Sequence, residues 1–493
     1  MQSVHPPTNK GKIYAWLAYA AIGIGIAIRI VVHLQNRNLM IDEANVARNI
    51  FERGFFQLLL PLSYEQYAPP LWLWLVKASS TLFGMGEQAL KLPTFLSGIA
   101  SLFLLYAILK QLNLLRSAWY ALILLASGYI FIRYSTELKQ YMMDATVALA
   151  LILLALRTDN QKTKPFRFFL LWLAAGSVAI WLSMPSVFVL AGVGAYYLLL
   201  HWQQGRINKS LPIMAAAVCW VAQFAAYYWL ILKAQANSDY LQNFHSVYFI
   251  NPTPTTLNDW NKNIDLLGHL LGEAGGFTFL AKALHALLIV GACIILLKRN
   301  KPHFFLLIVP LILTVIASAI HSFSLIPRVV LFMMPILLIL IAHGLNQLML
   351  ARNKYFKAMV VAACSVCIIN FSALRFFIVP LHSEQITDAM ALCNKNNMNG
   401  KNLYLHNGAI PAYIYYTTIH PKQQEWNNLK NANKLNWDSD YNSIATAAPV
   451  PCAFIFTSIA EDELVQKVNQ IKQHLTLADS LSNNGSHAYL FNR

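Results

Sequence analysis

Long apolar runs alternate with short polar stretches through the first 380 residues of the chain. About eleven runs of roughly 17 to 25 residues carry charges only near their ends, which is the pattern of membrane-spanning helices. Their predicted limits are 13–34, 92–112, 117–132, 141–156, 166–182, 185–200, 211–232, 281–297, 304–320, 329–347 and 356–377. The pattern predicts an all-α polytopic membrane bundle.

Two segments outside these runs have patterns of their own. The first outer loop, 35–91, contains a helix-like stretch that ends at Gly54 and an apolar one from Pro69 to Phe83, and both are expected to lie along the membrane interface. The last segment, 381–493, is rich in polar and turn-forming residues. Strand-like stretches at 402–406, 453–457 and 487–491 alternate there with helix-like ones at 384–396, 409–416 and 462–474. We therefore expect a transmembrane domain over 1–380 and a small α/β domain over 381–493.

Composition supports this division. The chain is 57% hydrophobic and only 12% charged, with a mean hydropathy of +0.47, which excludes an ordinary soluble enzyme. Its net charge of +16 does not indicate nucleic-acid binding, because residues 1–380 carry +17 and residues 381–493 carry −1. Alternate loops hold 16 cations and one acid, Asp159. The positive-inside rule therefore predicts a cytoplasmic N-terminus and a C-terminal domain outside the membrane.

Two adjacent carboxylates, Asp42 and Glu43, follow the first apolar run. A carboxylate beside a membrane surface is partly desolvated, which makes it a suitable general base for a hydroxyl group. The same two residues could instead cap the following helix and favour its positive N-terminus. A polar loop further along the chain contains Tyr64, Glu65, Gln66 and Tyr67.

The predicted outer loop between the third and fourth runs is densely polar. Arg133 and Lys139 lie six positions apart and can neutralise a phosphate group. Glu137 and Asp144 can hold these cations or a metal ion, and Tyr141 ends the loop. Cations that extend to the interface and pair with local acids would give the same pattern, so both interpretations stay open on spacing alone.

Arg328 lies at the predicted outer end of the tenth run, a few residues after His321. A guanidinium group can bind phosphate through two hydrogen bonds and is effective where the dielectric constant is low. We therefore favour phosphate binding over a cation that only anchors the helix at the interface. A single histidine such as His321 is more often a hydrogen-bonded interfacial residue than a metal ligand.

The six cysteines give little support for chemistry. Cys364 and Cys367 lie within an apolar run, where small residues more often serve helix packing than redox or zinc chemistry. Cys393 and Cys452 both belong to the C-terminal domain. They could pair if that domain occupies an oxidising compartment.

In their order along the chain, these features resemble the polytopic glycosyltransferases of the GT-C class. The segments that carry the resemblance are Asp42-Glu43, Pro69-Pro70, Phe83-Gly84 leading to Leu90-Lys91-Leu92-Pro93, and Glu137-Leu138-Lys139-Gln140-Tyr141. Within the class the chain is most similar to glycosyltransferase family 39, which contains protein O-mannosyltransferases and bacterial aminoarabinose transferases. The resemblance covers 42–157 and returns at 328–335.

The resemblance implies a sugar donor linked to polyprenyl phosphate, whose head group enters a cavity at the outer face. It implies Asp42 as the catalytic carboxylate, with Glu43 beside it. It also implies that Arg328, Arg133 and Lys139 bind the donor phosphate. Further candidates for contact with the sugar or the acceptor are Tyr64, Glu65, Gln66, Tyr67, Glu137 and Tyr141.

A metal cofactor stays an open alternative. Some relatives carry Glu-Lys directly before Pro-Pro, where this chain has Tyr67-Ala68. That difference removes the usual acidic residue, so Glu65 and His321 are only weak candidates for a divalent metal.

The expected reaction is inverting transfer of a sugar from polyprenyl phosphate to a hydroxyl acceptor, which is a lipid, a glycan or a protein. The expected location is a bacterial inner membrane, with membrane lipid and no nucleic acid as partner. A transporter or flippase would require charges in mid-span and repeated halves, and the sequence favours neither. A polymerase or ligase of lipid-linked saccharides could use the same class of site.

Overall fold

The computed structural model describes residues 9–158, 163–233, 239–371, 381 and 383–493. The chain divides into two compact units, each built from separate stretches of sequence. The first unit contains Met1–Val32, Tyr67–Trp72 and Pro93–Leu374, and the second contains His33–Gln66, Leu73–Leu92 and Arg375–Arg493.

Most of the described chain before residue 372 is helical. The helices are α1 (Asn9–Leu34), α2 (Ile41–Glu52), α3 (Pro70–Phe83), α4 (Glu87–Gln111), α5 (Leu115–Ser127), α6 (Tyr129–Ser135), α7 (Tyr141–Arg157), α8 (Pro165–Leu182), α9 (Ser186–Gln203), α10 (Leu211–Tyr227), α11 (Asp239–His245), α12 (Leu257–Gly275), α13 (Phe279–Arg299), α14 (Lys301–Ala319), α15 (Met333–Leu348) and α16 (Lys354–Phe371). The predicted polytopic helical bundle is confirmed.

Seven helical stretches of the described chain are long and apolar enough to cross a membrane. They are Lys12–Leu34, Glu87–Gln111, Pro165–Leu182, Ser186–Gln203, Ile207–Leu232, Phe279–Arg299 and Lys301–Ala319. An eighth span results if α5 and α6, which are bent by 56° at Gly128, count as one broken span. The sequence predicts a single straight run there, because a break at one glycine leaves the apolar pattern unchanged.

The remaining predicted runs also coincide with helices. α7 has 17 residues and α15 has 16, so both are shorter than the 18 residues that count as long enough to cross a membrane. The run 356–377 begins within α16 and ends outside the described residues. The total of about eleven spans therefore stays a prediction, while the integral membrane character of the chain is established.

Within the first unit, neighbouring helices pack closely in pairs. The pairs include α9 with α14, α8 with α10, and α13 with α15. Gly344 of α15 lies so close to α13 that a side chain there would overlap the backbone carbonyl of Leu288. Small residues allow such close approach between helices in lipid, where the hydrophobic effect does not drive helix association.

The second unit contains a five-stranded sheet. Its strands are β1 (Leu403–Leu405), β2 (Asn433–Lys434), β3 (Cys452–Thr457), β4 (Thr476–Asn483) and β5 (Ser486–Asn492), in the order β2-β1-β3-β5-β4. β1 pairs in parallel with β2 and β3, while β5 pairs antiparallel with β3 and β4. The accompanying helices are α17 (Ile386–Lys395), α18 (Ile410–Ile414), α19 (Tyr441–Ala447) and α20 (Glu461–Lys472). The predicted small α/β region is confirmed.

The degree to which each strand is buried explains why the sequence predicts some strands and not others. All six residues of β3 are buried, so that strand appears as a continuous apolar run. The edge strand β4 is mostly exposed and polar, and β2 has only two residues, both exposed, so neither strand is predicted. Cys393 and Cys452 are both buried free thiols in the structure.

Candidate active site

A cavity of about 220 Å³ in the first unit brings two of the predicted phosphate-binding residues together. Arg133 and Arg328, almost two hundred positions apart in sequence, both line it. The complete lining is Tyr129, Ile130, Arg133, Tyr134, Phe244, Tyr248, Glu273, Ile326, Pro327 and Arg328. Two guanidinium groups among aromatic walls form a site suited to an anion that also has apolar parts.

The break between α5 and α6 shapes one wall of the cavity. Gly128 adopts an extended conformation (φ −68°, ψ 131°), and the chain becomes helical again at Tyr129. The short helix α6 then carries Tyr129, Ile130, Arg133 and Tyr134 into the lining. A straight helix would continue in the direction of α5, so the bend determines where Arg133 lies.

Another part of the wall comes from the non-helical segment between α14 and α15. Ile326, Pro327 and Arg328 lie on this segment. Leu325 N donates a hydrogen bond of 3.1 Å to the carbonyl of Tyr248, which joins the segment to the chain that follows α11. The guanidinium carbon of Arg328 lies 5.8 Å from the ring centre of Phe244.

Two acidic residues, Glu137 and Glu273, reduce the positive charge at the cavity. Arg133 Nε lies 2.6 Å from Glu137 Oε1, in an ion pair whose carboxylate side chain is 4% exposed. Burial raises the pKa of Glu273 to about 7, although the positive charge of Arg133 acts in the opposite direction. Glu273 Oε1 also lies 3.6 Å from His269 Nε2. Near neutral pH, the charge of Glu273 is therefore sensitive to its surroundings.

The other predicted residues of the first unit are not part of the lining of this cavity. Lys139 is buried but does not line it. Tyr141 packs edge-on against Tyr134, with ring centres 5.2 Å apart. His321 is exposed and stacks on Phe249, with ring centres 4.8 Å apart. Tyr67 forms a hydrogen bond through its hydroxyl group to the hydroxyl group of Tyr227.

Sequence reasoning does not identify three of the lining residues that follow α10. Phe244, Tyr248 and Glu273 belong to the long predicted outer segment between the seventh and eighth runs. Of the three, Glu273 has a local signal, the amphipathic helix α12, which ends with Glu273-Ala274-Gly275. An isolated acid at the end of an amphipathic helix is common, so the pattern does not distinguish it.

The second unit contains the predicted catalytic carboxylate, at the start of α2. Asp42 is partly exposed, and its Oδ1 accepts a hydrogen bond of 3.3 Å from Gln66 Nε2. Glu43 is 1% exposed; its Oε2 accepts from the backbone N–H of Met40 at 3.1 Å, and its Oε1 lies 3.6 Å from Lys91 Nζ. The two adjacent acids therefore have different roles: Glu43 holds the helix start in place, while Asp42 reaches the surface.

The loop 63–66 is fixed against α2. The guanidinium carbon of Arg48 lies 3.6 Å from the ring centre of Tyr64, whose hydroxyl group donates to Glu52. Tyr64 and Glu65 have φ angles of 65° and 53°, a left-handed conformation that reverses the chain. This turn leaves Glu65 exposed and directs Gln66, which is buried, toward Asp42.

Residues from the C-terminal part of the chain hold the segment that leads into α2. Asn38 donates its backbone N–H to Gln385 Oε1 at 3.0 Å, and its side-chain oxygen accepts from Thr387 N at 2.9 Å. The backbone N–H of Leu39 donates to the hydroxyl group of Tyr416 at 3.0 Å. Asn38 and Leu39, which lie just before Asp42, are thus held by hydrogen bonds to side chains that are distant in sequence.

A metal site finds no support among the described side chains. Within the ranges that the structure describes, no group of three or more His, Cys, Asp or Glu side chains is arranged to hold a metal ion. The two weak candidates, Glu65 and His321, are both exposed.

Comparisons with known proteins agree with the architecture. Residues 67–229 match the family model described as dolichyl-phosphate-mannose-protein mannosyltransferase. ArnT from Cupriavidus metallidurans in the apo state is 13% identical, with a TM-score of 0.51 over 96% of this chain and 98% of that chain. The same protein bound to undecaprenyl phosphate is 13% identical, with a TM-score of 0.54 over 98% of both chains.

No curated protein sequence matches the chain. At 13% identity the structural similarity establishes the fold, and the matched family model covers the region that carries Arg133. The family match over 67–229 and the fold shared with ArnT together support a membrane glycosyltransferase, similar to the protein mannosyltransferases in that region and to ArnT in its architecture.

Proposed function

We propose that this glycosyltransferase takes a sugar from a polyprenyl phosphate and transfers it to a hydroxyl acceptor at the outer face of a bacterial inner membrane. The observation that carries the proposal is the cavity in which Arg133 and Arg328 lie among aromatic side chains. A solved structure of ArnT, which has the same fold, contains undecaprenyl phosphate. Cations and aromatic walls match the phosphate and the isoprenoid of such a donor.

The chemistry of the donor accounts for the residues that the site needs. A sugar phosphate already contains a good leaving group, so its departure requires positive charge rather than a protonating acid. Arg133 and Arg328 supply that charge at the departing phosphate oxygen. The acceptor hydroxyl group must lose a proton as its oxygen attacks the anomeric carbon, and this step requires a general base.

Asp42 is the side chain that we assign as that base. Its neighbour Glu43 contacts Lys91 and the backbone of Met40, so Glu43 serves the helix start. Asp42 is partly exposed on the same rigid turn, with the amide of Gln66 orienting its carboxylate. A base held in this way can accept the proton without rearrangement of the backbone.

The orientation follows from the distribution of charge. The alternate loops that carry 16 cations and Asp159 are assigned to the cytoplasm by the positive-inside rule. This assignment puts the start of α2 and the C-terminal sheet outside. A protease-cleavable tag at the C-terminus should be accessible from the periplasm of cells with a permeabilised outer membrane, and resistance there would contradict the assignment.

Donor binding is tested with the purified chain in lipid nanodiscs and undecaprenyl phosphate as the probe. Arg328→Ala and Arg133→Ala should each weaken binding at least about 30-fold, because truncation of a buried charge contact costs roughly 2 to 5 kcal/mol. Arg206→Ala, which removes an exposed cation from a predicted cytoplasmic loop, is the matched control. Equal binding by all three variants would refute the proposed donor site.

Transfer is tested separately, by mass spectrometry of polyprenyl-linked sugars and surface glycans in a deletion strain complemented with variants. Asp42→Asn should lower transfer by about 10² to 10⁴-fold, the usual contribution of a general base, without loss of undecaprenyl phosphate binding. Asp438→Asn, at an exposed position of the C-terminal region, is the control. Normal transfer by Asp42→Asn would exclude this residue as the base.

A further inference from the structure

A fully buried arginine lies within the first membrane helix of the described chain. Arg29 is 0% exposed and lies five residues before the end of α1. A charged side chain in a membrane-spanning segment is costly, and such residues are usually retained for function. Arg29 does not line the cationic cavity, so it requires a separate explanation.

The guanidinium group of Arg29 bridges the two sides of the broken helix. On the α5 side, its Nη2 donates to the carbonyl of Leu125 at 3.0 Å and its Nη1 donates to the carbonyl of Ala126 at 3.2 Å. On the α6 side, its Nε donates to Ser135 Oγ at 3.1 Å. A further bond from Nη1 to the carbonyl of Gly25, at 3.0 Å, holds the guanidinium group against its own helix.

The break at Gly128 explains why these carbonyls need a donor. In a continuous helix, the carbonyls of Leu125 and Ala126 would accept from the N–H groups four residues later. The extended conformation of Gly128 turns those N–H groups away. A buried carbonyl without a donor costs several kcal/mol in a membrane, and Arg29 supplies donors to both. The bend and the buried arginine therefore stabilise each other.

The contact with Ser135 is made within tight packing. Ser135 Oγ accepts from Arg29 and itself donates to the carbonyl of Phe131 at 2.5 Å. Gly98 of α4 faces the same hydroxyl group so closely that a side chain at position 98 would overlap it. Contacts with α1, with α4 and within α6 itself thus fix the position of Ser135 at the end of α6.

We infer that Arg29 is a positioning residue for the donor-phosphate cavity. It fixes the direction of α6, which contributes Tyr129, Ile130, Arg133 and Tyr134 to the lining, and Ser135 lies two residues after Arg133. Arg29 touches neither the cavity nor its contents and acts through the bend. This inference rests on the proposed function, because it assigns a purpose to the position of Arg133 in phosphate binding.

The test compares Arg29→Lys and Ser135→Ala with Ser127→Ala in the full-length protein. Lysine keeps the positive charge, but its three donors lie on one nitrogen, whereas Arg29 reaches Ser135, Ala126 and Leu125 from Nε, Nη1 and Nη2 of a planar group. Ser135→Ala removes the bond from Arg29 on the α6 side, together with the bond from the Ser135 hydroxyl group to the carbonyl of Phe131 in the same helix. Ser127→Ala is the matched control, since its hydroxyl group donates to the carbonyl of Ile123 within α5 and makes no bond to Arg29 or to α6 among the described residues.

Equilibrium binding of undecaprenyl phosphate is the main measurement, made at a temperature at which every variant is folded. We expect Kd to rise about fivefold to tenfold for Ser135→Ala and further for Arg29→Lys, with Ser127→Ala unchanged. In the transfer assay the donor KM should rise while kcat changes less than about twofold, because the acceptor base is untouched. A residue that only stabilises the fold would lower Tm and leave Kd and KM unchanged.

Two negative outcomes have different meanings. If Ser135→Ala and Arg29→Lys bind undecaprenyl phosphate like the wild type, while Arg133→Ala does not, the positioning role is wrong and the donor site stands. If Arg133→Ala and Arg328→Ala also bind like the wild type, the proposed donor site is refuted and the inference with it. Ser135→Ala decides the matter should Arg29→Lys fail to fold, because alanine leaves both α5 carbonyls bonded to Arg29.

Discussion

Replacement of Glu273 by glutamine should strengthen donor binding at alkaline pH. Glu273 lines the cavity with Arg133 and Arg328, and burial raises its pKa to about 7. Below that pH its carboxyl group is neutral and does not oppose a bound phosphate. Above that pH it is ionised, and its negative charge repels the phosphate. Glutamine has nearly the same size and stays neutral at every pH.

To estimate the magnitude of this repulsion, we take the width of the cavity as the scale of the distance between the Glu273 carboxylate and a bound phosphate. A volume of about 220 Å³ corresponds to a sphere about 7.5 Å across. Two unit charges at that separation, with an effective dielectric constant of about 20, repel by about 2 kcal/mol. This energy corresponds to a change of about 30-fold in Kd. The Glu273 side chain is 18% exposed, so solvent screening is limited.

The assay is binding of undecaprenyl phosphate to wild type and Glu273→Gln between pH 6 and pH 8.5. The ligand itself titrates near pH 6, but it does so equally in both experiments, so the ratio of the two Kd values isolates Glu273. Burial lowers the pKa of His269, beside Glu273, and that of His245, near Arg328, so both histidines titrate further toward acid pH. The ratio should be near one at pH 6 and rise to about 15 at pH 8.5, about half of its limiting value.

A constant ratio across this range would refute the reasoning, because it would mean that Glu273 does not change charge in the free cavity. A ratio that changes in the opposite direction would mean that the ionised carboxylate favours the ligand. Glu461→Gln, at an exposed position of α20, is the control for a general change of surface charge.

Three further predictions concern residues that support the cavity of the first unit or the fold of the second unit. Gly98→Ala should raise the Kd for undecaprenyl phosphate by displacing Ser135, whereas Gly194→Ala, where a side chain meets open space, should not; equal effects would contradict the packing argument. Lys91→Met should destabilise the fold by about 3 kcal/mol in thermal unfolding, because the Glu43 carboxylate stays buried; an unchanged Tm would contradict a structural role for that ion pair. Burial raises the pKa of Glu384 to about 7, above its unfolded value of about 4.5, so its contribution to stability is present at acid pH and is lost as pH rises toward 7. Glu384→Gln should therefore raise Tm at pH 8 by more than at pH 5, and equal shifts would refute this sign.

The sequence by itself determines the class of the molecule. Long apolar runs can be buried only in lipid, so their lengths and the distribution of cations predict a polytopic bundle without any knowledge of packing. The buried strand β3 is equally visible, because all of its side chains avoid water. Asp42, Arg133 and Arg328 are candidates because they are charged residues at the predicted outer ends of apolar runs.

Only the tertiary structure decides which of these charges share a site. Arg133 and Arg328 meet because a bend at Gly128 redirects α6, and one glycine in an apolar run does not predict a bend. Glu273 joins them from a helix that has no distinctive local pattern. In the sequence Arg29 is one more cation toward the end of an apolar run, and its contacts with the carbonyls of Leu125 and Ala126 are visible only in the structure. The pattern of apolar residues along the chain indicates which side chains avoid water, whereas a site depends on contacts between segments that are distant in the chain.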